Sequence, residues 1–234
     1  MQQNSKATFG SDVSRRAAAH DIRDILIVDD HPLMCEALSV TLSHAFGLRR
    51  VRMAASVAAA QASIRTGGIP DAVVLDLNLP DVSGAEGVMT LRNVIGDVPL
   101  TVISSEFECG MVAALLASGV QGYILKSLAR SRMIDAFERM WAGEVVTPDA
   151  YDPDEIGNAA EVAGLARDFG SLTPQQLNIL RLICQGRPNK LISYELSIAE
   201  ATVKTHIAAI MSKVNASNRT QVALLASRAR MFVR

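Results

Sequence analysis

Four short apolar runs end in polar residues that the middle of a buried strand would not tolerate. Ile25-Leu26-Ile27-Val28 gives way to Asp29 and Asp30, and Ala72-Val73-Val74-Leu75 to Asp76. Leu100-Thr101-Val102-Ile103 leads to Ser104, and Gly122-Tyr123-Ile124-Leu125 to Lys126. Runs this short and continuous read as parallel strands covered on both faces. In an open parallel sheet the chemistry lies just beyond the carboxyl ends of the strands. All the interruptions fall at that edge, so three carboxylates, a hydroxyl and an ammonium can converge there. Clustered carboxylates repel unless cations join them, and a divalent metal with a lysine supplies the charge.

The alternation continues from Arg23 to Gly143. Strands are expected near 23–28, 49–54, 71–75, 99–104 and 121–125, with helices near 32–46, 56–66, 84–95, 107–117 and 130–142. This predicts an α/β fold, a five-stranded doubly wound parallel sheet with helices on both faces. Pro148, Pro153 and Gly157 break the pattern, and 147–170 reads as a linker with a short helix at 154–168. Beyond Gly170 no strand signal returns. Helices near 174–185, 189–196, 200–214 and 219–231 predict a small all-α unit. The expected division is a mobile leader at 1–21, an α/β domain at 22–146, the linker, and a helical domain at 171–234.

The net charge of −1 conceals an asymmetry. Residues 171–234 hold nine basic side chains against Glu195 and Glu200, a net of +7, which leaves −8 for residues 1–170. An acidic front on a basic back points to different partners, nucleic acid for the back. No apolar stretch is long enough for a membrane span, and the leader lacks the apolar core of a signal peptide. Cys35, Cys109 and Cys184 lack metal-type spacing and read as free thiols of a cytoplasmic protein.

The acidic edge suits phosphoryl transfer. All-oxygen ligands such as Asp29, Asp30 and Asp76 select a hard cation such as Mg²⁺. A carboxylate can attack phosphorus to give an aspartyl phosphate, a reaction that depends on positioning and charge neutralisation. Asp76 stands alone at its strand end and is the expected nucleophile, with Lys126 and Mg²⁺ on either side of the phosphoryl group. His31 reads as a loop histidine. In the tail, Val203, Ile207, Ile210 and Val214 form one stripe of the 200–214 helix. The opposite face, Ala201, Thr205, Ala208 and Ser212, is small enough to enter a DNA major groove, with Lys204, His206 and Lys213 on its shoulders.

The segments ILIVDDHPL, DLNLPDVSG, VISS and GYILKS, over 23–143, resemble the receiver domain of bacterial two-component response regulators, a flavodoxin-like fold. The segment over 171–228, from Leu172-Thr173-Pro174 past Arg219-Thr220, resembles the LuxR-type helix-turn-helix DNA-binding domain. Together they are similar to the NarL/FixJ class of response regulators. That resemblance implies phosphorylation of Asp76, Mg²⁺ held by Asp29, Asp30, Asp76 and the Asn78 main-chain carbonyl, and Lys126 paired with the phosphate. It implies that Ser104, favoured over Ser105 on spacing, and Tyr123 form the switch, the tyrosine turning inward when the hydroxyl moves. On DNA it implies Lys204 and Thr205 facing bases, Ala208 near a thymine methyl, and Asn189, Lys190 and Lys213 on phosphates. The implied partners are a sensor histidine kinase or small phosphodonor, double-stranded DNA and a second copy of the chain, and the implied role is regulatory, not enzymatic. Alternatives are a phosphorylation-independent transcription factor whose receiver only dimerises, and an aspartyl-phosphate phosphatase; His31 stands where the latter's second acid belongs. Gln175-Gln176, Ser197 and Ala199 replace a common Arg-Glu, Gly and Ser, which predicts a weaker turn before the recognition helix, whereas Asn215 tolerates the left-handed backbone of the Gly it replaces.

Overall fold

A computed structural model describes residues 22–153 and 159–232. The leader at 1–21 and the first residues of the helix expected from 154 lie outside the described residues. Strands β1 (Asp24–Val28), β2 (Arg50–Ala54), β3 (Ala72–Asp76), β4 (Leu100–Ser104) and β5 (Gly122–Leu125) form one sheet in the order β2-β1-β3-β4-β5. Every neighbouring pair is parallel. Helices α1 (Pro32–Phe46), α2 (Val57–Gly67), α3 (Glu86–Ile95), α4 (Cys109–Ala117) and α5 (Arg130–Trp141) cover both faces.

Strand side chains alternate between the two layers. Ile25 and Ile27 join Leu38, Leu42, Phe137 and Trp141 under α1 and α5. Leu26 and Val28 join Val57, Val88, Leu91 and Val112 under α2, α3 and α4. The register is what builds the site. Val28 pairs with Leu75 and Asp76 with Ile103, so Asp29 and Asp76 finish neighbouring strands at one level. Ser104 pairs with Leu125, which sets Lys126 one residue beyond the next strand. Glycine is required at Gly122, where a Cβ would lie 1.9 Å from Met140 Sδ. Val146 bridges to that residue, its carbonyl accepting the Tyr123 N–H at 2.9 Å.

Helix α6 (Ala159–Gly170) ends two residues beyond the linker helix expected and packs along α4, burying Leu165, Ala166 and Phe169. The tail follows as α7 (Pro174–Cys184), α8 (Asn189–Glu195), α9 (Glu200–Lys213) and α10 (Arg219–Arg228). Besides α6, three helices differ from expectation by more than one residue at an end, and the backbone says why. Gly84 has φ +57 and delays α3, Glu108 is extended ahead of α4, and Arg230 has φ +56 just past α10. Gln176 compensates for the missing acid: its amide and Thr173 form a reciprocal capping box, satisfying two orphan N–H groups of α7.

The turn between α8 and α9 carries the expected defects. Ser197 sits at φ +54, and Ala199 caps α9 without a side-chain hydrogen bond. Ser197→Gly is expected to stabilise the tail by about 0.5–1 kcal/mol, the left-handed penalty less glycine's entropy cost. Ala199→Ser adds about 1 kcal/mol. Urea midpoints unchanged in both variants would show that the turn carries no such defect.

Candidate functional site

At the carboxyl edge of the sheet the acids and the lysine meet. Lys126 Nζ lies 2.8 Å from Asp29 Oδ2 and 2.8 Å from Asp76 Oδ2. Asp29 Oδ1 accepts the His31 N–H at 2.8 Å, so both its oxygens are engaged. Asp30 is partly exposed and contacts His31 Nδ1 at 2.8 Å. Asp76 is 2 % exposed, and its Oδ1 is buried without a hydrogen-bond partner. Burial pulls the Lys126 ammonium down, but its hydrogen bonds to Asp29 and Asp76 and their charges outweigh that and raise its pKa.

Ligand atoms of Asp29, Asp30, His31 and Asp76 all lie within 4.8 Å of one another. Three carboxylates against one lysine leave an excess of negative charge, and the orphaned Asp76 oxygen faces into it. The residues fit a hard divalent cation. Asn78 is exposed and lines the hollow beside Asp30 with Pro80 and Gly84.

Ser104 is 2 % exposed, and its Oγ accepts the Glu106 N–H at 3.2 Å. Tyr123 already lies inward, 2 % exposed, donating its hydroxyl to the Glu106 carbonyl at 2.6 Å. Burial is the main cause that pushes the Tyr123 phenol up. The inward position therefore does not wait on a move of Ser104. Two contributors were missed in the sequence. Asp81 accepts N–H bonds from Val57 at 3.1 Å and Ala58 at 2.9 Å, so the loop after Asp76 caps α2. The Glu106 carbonyl anchors Tyr123. Asp81 was visible only as a turn residue; a main-chain carbonyl leaves no sequence signal.

In the tail, α9 buries Val203, Ile207 and Ile210 and exposes Ala201, Thr205, Ala208 and Ser212. Lys204 is exposed beside Glu200 at 3.2 Å, and Thr205 Oγ1 donates to the Ala201 carbonyl at 3.1 Å. Lys190 is exposed near Tyr194 on α8. Asn189 Oδ1 accepts from Arg219 Nη1 at 2.8 Å, which leaves its amide N–H groups available. Lys213 instead turns back on the tail, donating to the Ser171 carbonyl at 2.7 Å and to Gln176 Oε1 at 3.0 Å.

Where tail and receiver-like halves meet, Glu86 is 5 % exposed and faces Arg181 Nε at 3.7 Å. Burial pushes its carboxyl from 4.5 up to about 6, more than Arg181 pulls it down. A folded value above the unfolded one favours the folded state fully below pH 4.5 and loses that effect as pH rises through 6. The loss amounts to about 2 kcal/mol. Glu86→Gln is expected to exceed the wild type in stability at pH 7.5 by up to that amount, with the gap closing at pH 4 to about 0. Urea titrations at both pH values check this, and a variant weaker at pH 7.5 would mean the Arg181 pair outweighs desolvation.

Residues 25–138 match the response regulator receiver domain family, and residues 170–226 match the bacterial regulatory proteins of the luxR family. The chain is 37% identical over 211 residues to the glycerol metabolism activator of Pseudomonas putida, covering 86% of this chain and 94% of that protein. It is 32% identical over 218 residues to the nitrate/nitrite response regulator protein NarL of Escherichia coli K12, covering 89% and 96%. Its fold is similar to that of the two-component response regulator RcsB in complex with DNA, with a TM-score of 0.51 at 18% identity over 88% of this chain and 98% of that one. The chain belongs to the two-component response regulators that join a receiver to a LuxR-type DNA-binding domain. It is a DNA-binding transcriptional regulator of that family.

Proposed function

We propose that Asp76 accepts a phosphoryl group from a sensor histidine kinase or a small phosphodonor, and that this controls how the tail engages DNA. The observation that carries the reading is the buried, unpartnered Oδ1 of Asp76 beside a lysine and two further acids. Mg²⁺ held by Asp29, Asp30, Asp76 and the Asn78 carbonyl would neutralise phosphoryl oxygens; this is the chemistry the metal supplies when bound. Lys126 stands ready to pair with a phosphoryl oxygen, and Ser104 to donate to another, with Tyr123 packed beneath the same loop. The chain acts as a switch and not as an enzyme, in the cytoplasm, with a receiver at 22–146, a linker at 147–170 and a DNA-binding domain at 171–234. Among the described residues no helix is long and apolar enough to cross a membrane.

Two tails of a homodimer would bind half-sites on duplex DNA. Lys204 and Thr205 would face bases, Ala208 a thymine methyl, and Asn189 and Lys190 phosphates. Lys213 would first have to release Ser171 and Gln176 to join them. Lys204→Ala is expected to cost a bidentate base contact of about 1–3 kcal/mol and relax sequence preference, whereas Lys190→Ala weakens all sequences and lowers the salt slope by about 1. Genome-wide footprinting with and without acetyl phosphate and Mg²⁺ tests the whole reading. Protection strengthened by the phosphodonor is expected; occupancy and oligomeric state indifferent to it would leave the receiver a silent dimerisation module.

A further inference from the structure

His31 stands inside the acid cluster, not beside it. Its ring Nδ1 lies 2.8 Å from Asp30 Oδ1 and 3.1 Å from Asp29 Oδ1. The backbone fixes that place. The His31 N–H donates to Asp29 Oδ1 at 2.8 Å, and its carbonyl accepts the Met34 and Cys35 N–H groups, each at 3.1 Å, as α1 begins. The His31 side chain makes no cap bond to α1, so helix capping does not account for where the ring points.

Lys126 divides the cluster. It takes Oδ2 of Asp29 and Oδ2 of Asp76, which leaves the Oδ1 atom of each for the other side. Asp76 Oδ1 is buried there without a partner, and it is this orphan that marks the hollow as a place for a ligand. Asp29 Oδ1 already accepts the His31 N–H, but a carboxylate oxygen has a second lone pair for a cation. With ligand atoms of Asp29, Asp30, His31 and Asp76 all within 4.8 Å, the donor set is three oxygens and one nitrogen. Mg²⁺ takes oxygen and keeps several waters, so it gains little from the ring. Imidazole suits Ni²⁺ and its neighbours, which bind more tightly than Mn²⁺ at mixed nitrogen and oxygen sites. Without metal, Nδ1 carries a proton between the two carboxylates. The side chain is 66% exposed, so that proton can pass through water to Nε2 when a cation takes the Nδ1 lone pair.

We infer that His31 is a nitrogen ligand of the cation site and biases it toward transition-metal ions of the Ni²⁺ type over Mg²⁺. This rests on the reading of Asp29, Asp30 and Asp76 as the place where the phosphoacceptor holds its cation. The rival account gives His31 only hydrogen bonds to the acids. In that account the ring tempers the negative charge for every divalent cation equally, whereas a nitrogen ligand favours one class of cation over another. The ratio of two affinities therefore separates the two roles.

The test uses the untagged full chain at pH 7.5 with Mg²⁺, Ni²⁺ and Mn²⁺ alone as probes. Calorimetry reads affinity, and the Ni²⁺ that excess Mg²⁺ displaces defines the shared site, apart from the free thiols Cys35, Cys109 and Cys184. His31→Gln is expected to lower the ratio of Ni²⁺ to Mg²⁺ affinity there by at least about tenfold, since loss of even a supporting group costs a metal site that much. Asp76→Asn is expected to weaken both ions, which ties them to the acids; undiminished binding by that variant would put the ions elsewhere and overturn the inference. Pulsed EPR of Mn²⁺ at the shared site reads the contact directly. Imidazole-nitrogen modulation is expected in the wild type and not in His31→Gln. Its absence from the wild-type spectrum would overturn the ligand whether or not the variant folds. A ratio within about twofold of wild type in His31→Gln, with both ions still bound, would refute the inference and leave the cation site standing. A wild type that binds neither Mg²⁺ nor Ni²⁺ would remove both.

Discussion

Asp76→Asn is expected to take up no phosphoryl group from acetyl phosphate under Mg²⁺ conditions that label the wild type stoichiometrically. The argument is one of available oxygens. Both Asp29 oxygens are occupied, Oδ1 by the His31 N–H and Oδ2 by Lys126. Asp30 is tied to His31 and a third exposed. Of the three acids, Asp76 alone keeps a buried oxygen without a hydrogen-bond partner, while its other oxygen holds Lys126 at 2.8 Å. Asparagine preserves the shape and removes the anionic nucleophile. Intact-mass measurement after labelling, with a chelator control, reads the result. Label on the variant equal to that on wild type would place the chemistry on another residue.

Lys126→Met is expected to destabilise the metal-free protein by about 3 kcal/mol at pH 7.5. Lys126 is the shared partner of Asp29 and Asp76, whose side chains are 3% and 1% exposed. Without it two buried carboxylates face each other uncompensated, and their repulsion and desolvation cost stability. The lysine's own pKa is raised, so its contribution is complete below 10.5 and is lost only at higher pH; a comparison at pH 7.5 sees all of it. Two further results follow. The deficit shrinks as protons reduce the uncompensated negative charge of the site, and Mg²⁺ stabilises the variant more than the wild type because it replaces the missing cation. Urea titrations at pH 5 and 7.5, with and without Mg²⁺, decide it. Equal stability of variant and wild type in the absence of metal would mean that the carboxylates escape to solvent.

Much of the site was legible because the signals are local. A buried parallel strand announces itself as a continuous apolar run, and the first charged residue after it marks the carboxyl edge. That logic brought Asp29, Asp76, Ser104 and Lys126 to one rim, and each strand lies within one residue of its expected ends. In the tail the 3.6-residue stripe of Val203, Ile207 and Ile210 separated the buried face of α9 from its exposed one. Ser197 and Asn215 were recognised as left-handed positions from the residues expected there, and both have positive φ.

The other features required the folded chain. From sequence Gln175-Gln176 counts only as a weakening departure from Arg-Glu, yet Gln176 completes a capping box and receives Lys213. Residues 147–170 read as a linker with a short helix, but the sequence does not show that this helix buries Phe169 against the other half. Periodicity could not reveal this, because an amphipathic helix does not state which neighbour will cover its apolar side.

By itself the sequence determined the order of elements, the rim on which the acids and the lysine gather, and the face of α9 turned to solvent. These depend on the character of adjacent residues, and chain connectivity carries them directly into space. Tertiary structure alone decided that Tyr123 lies inward on a main-chain carbonyl, that Glu86 is buried against Arg181, and that Arg230 grips Glu108 from 122 positions away. Those pairings exist only after distant segments approach, and it is burial and proximity created by that approach that set their charges and energies.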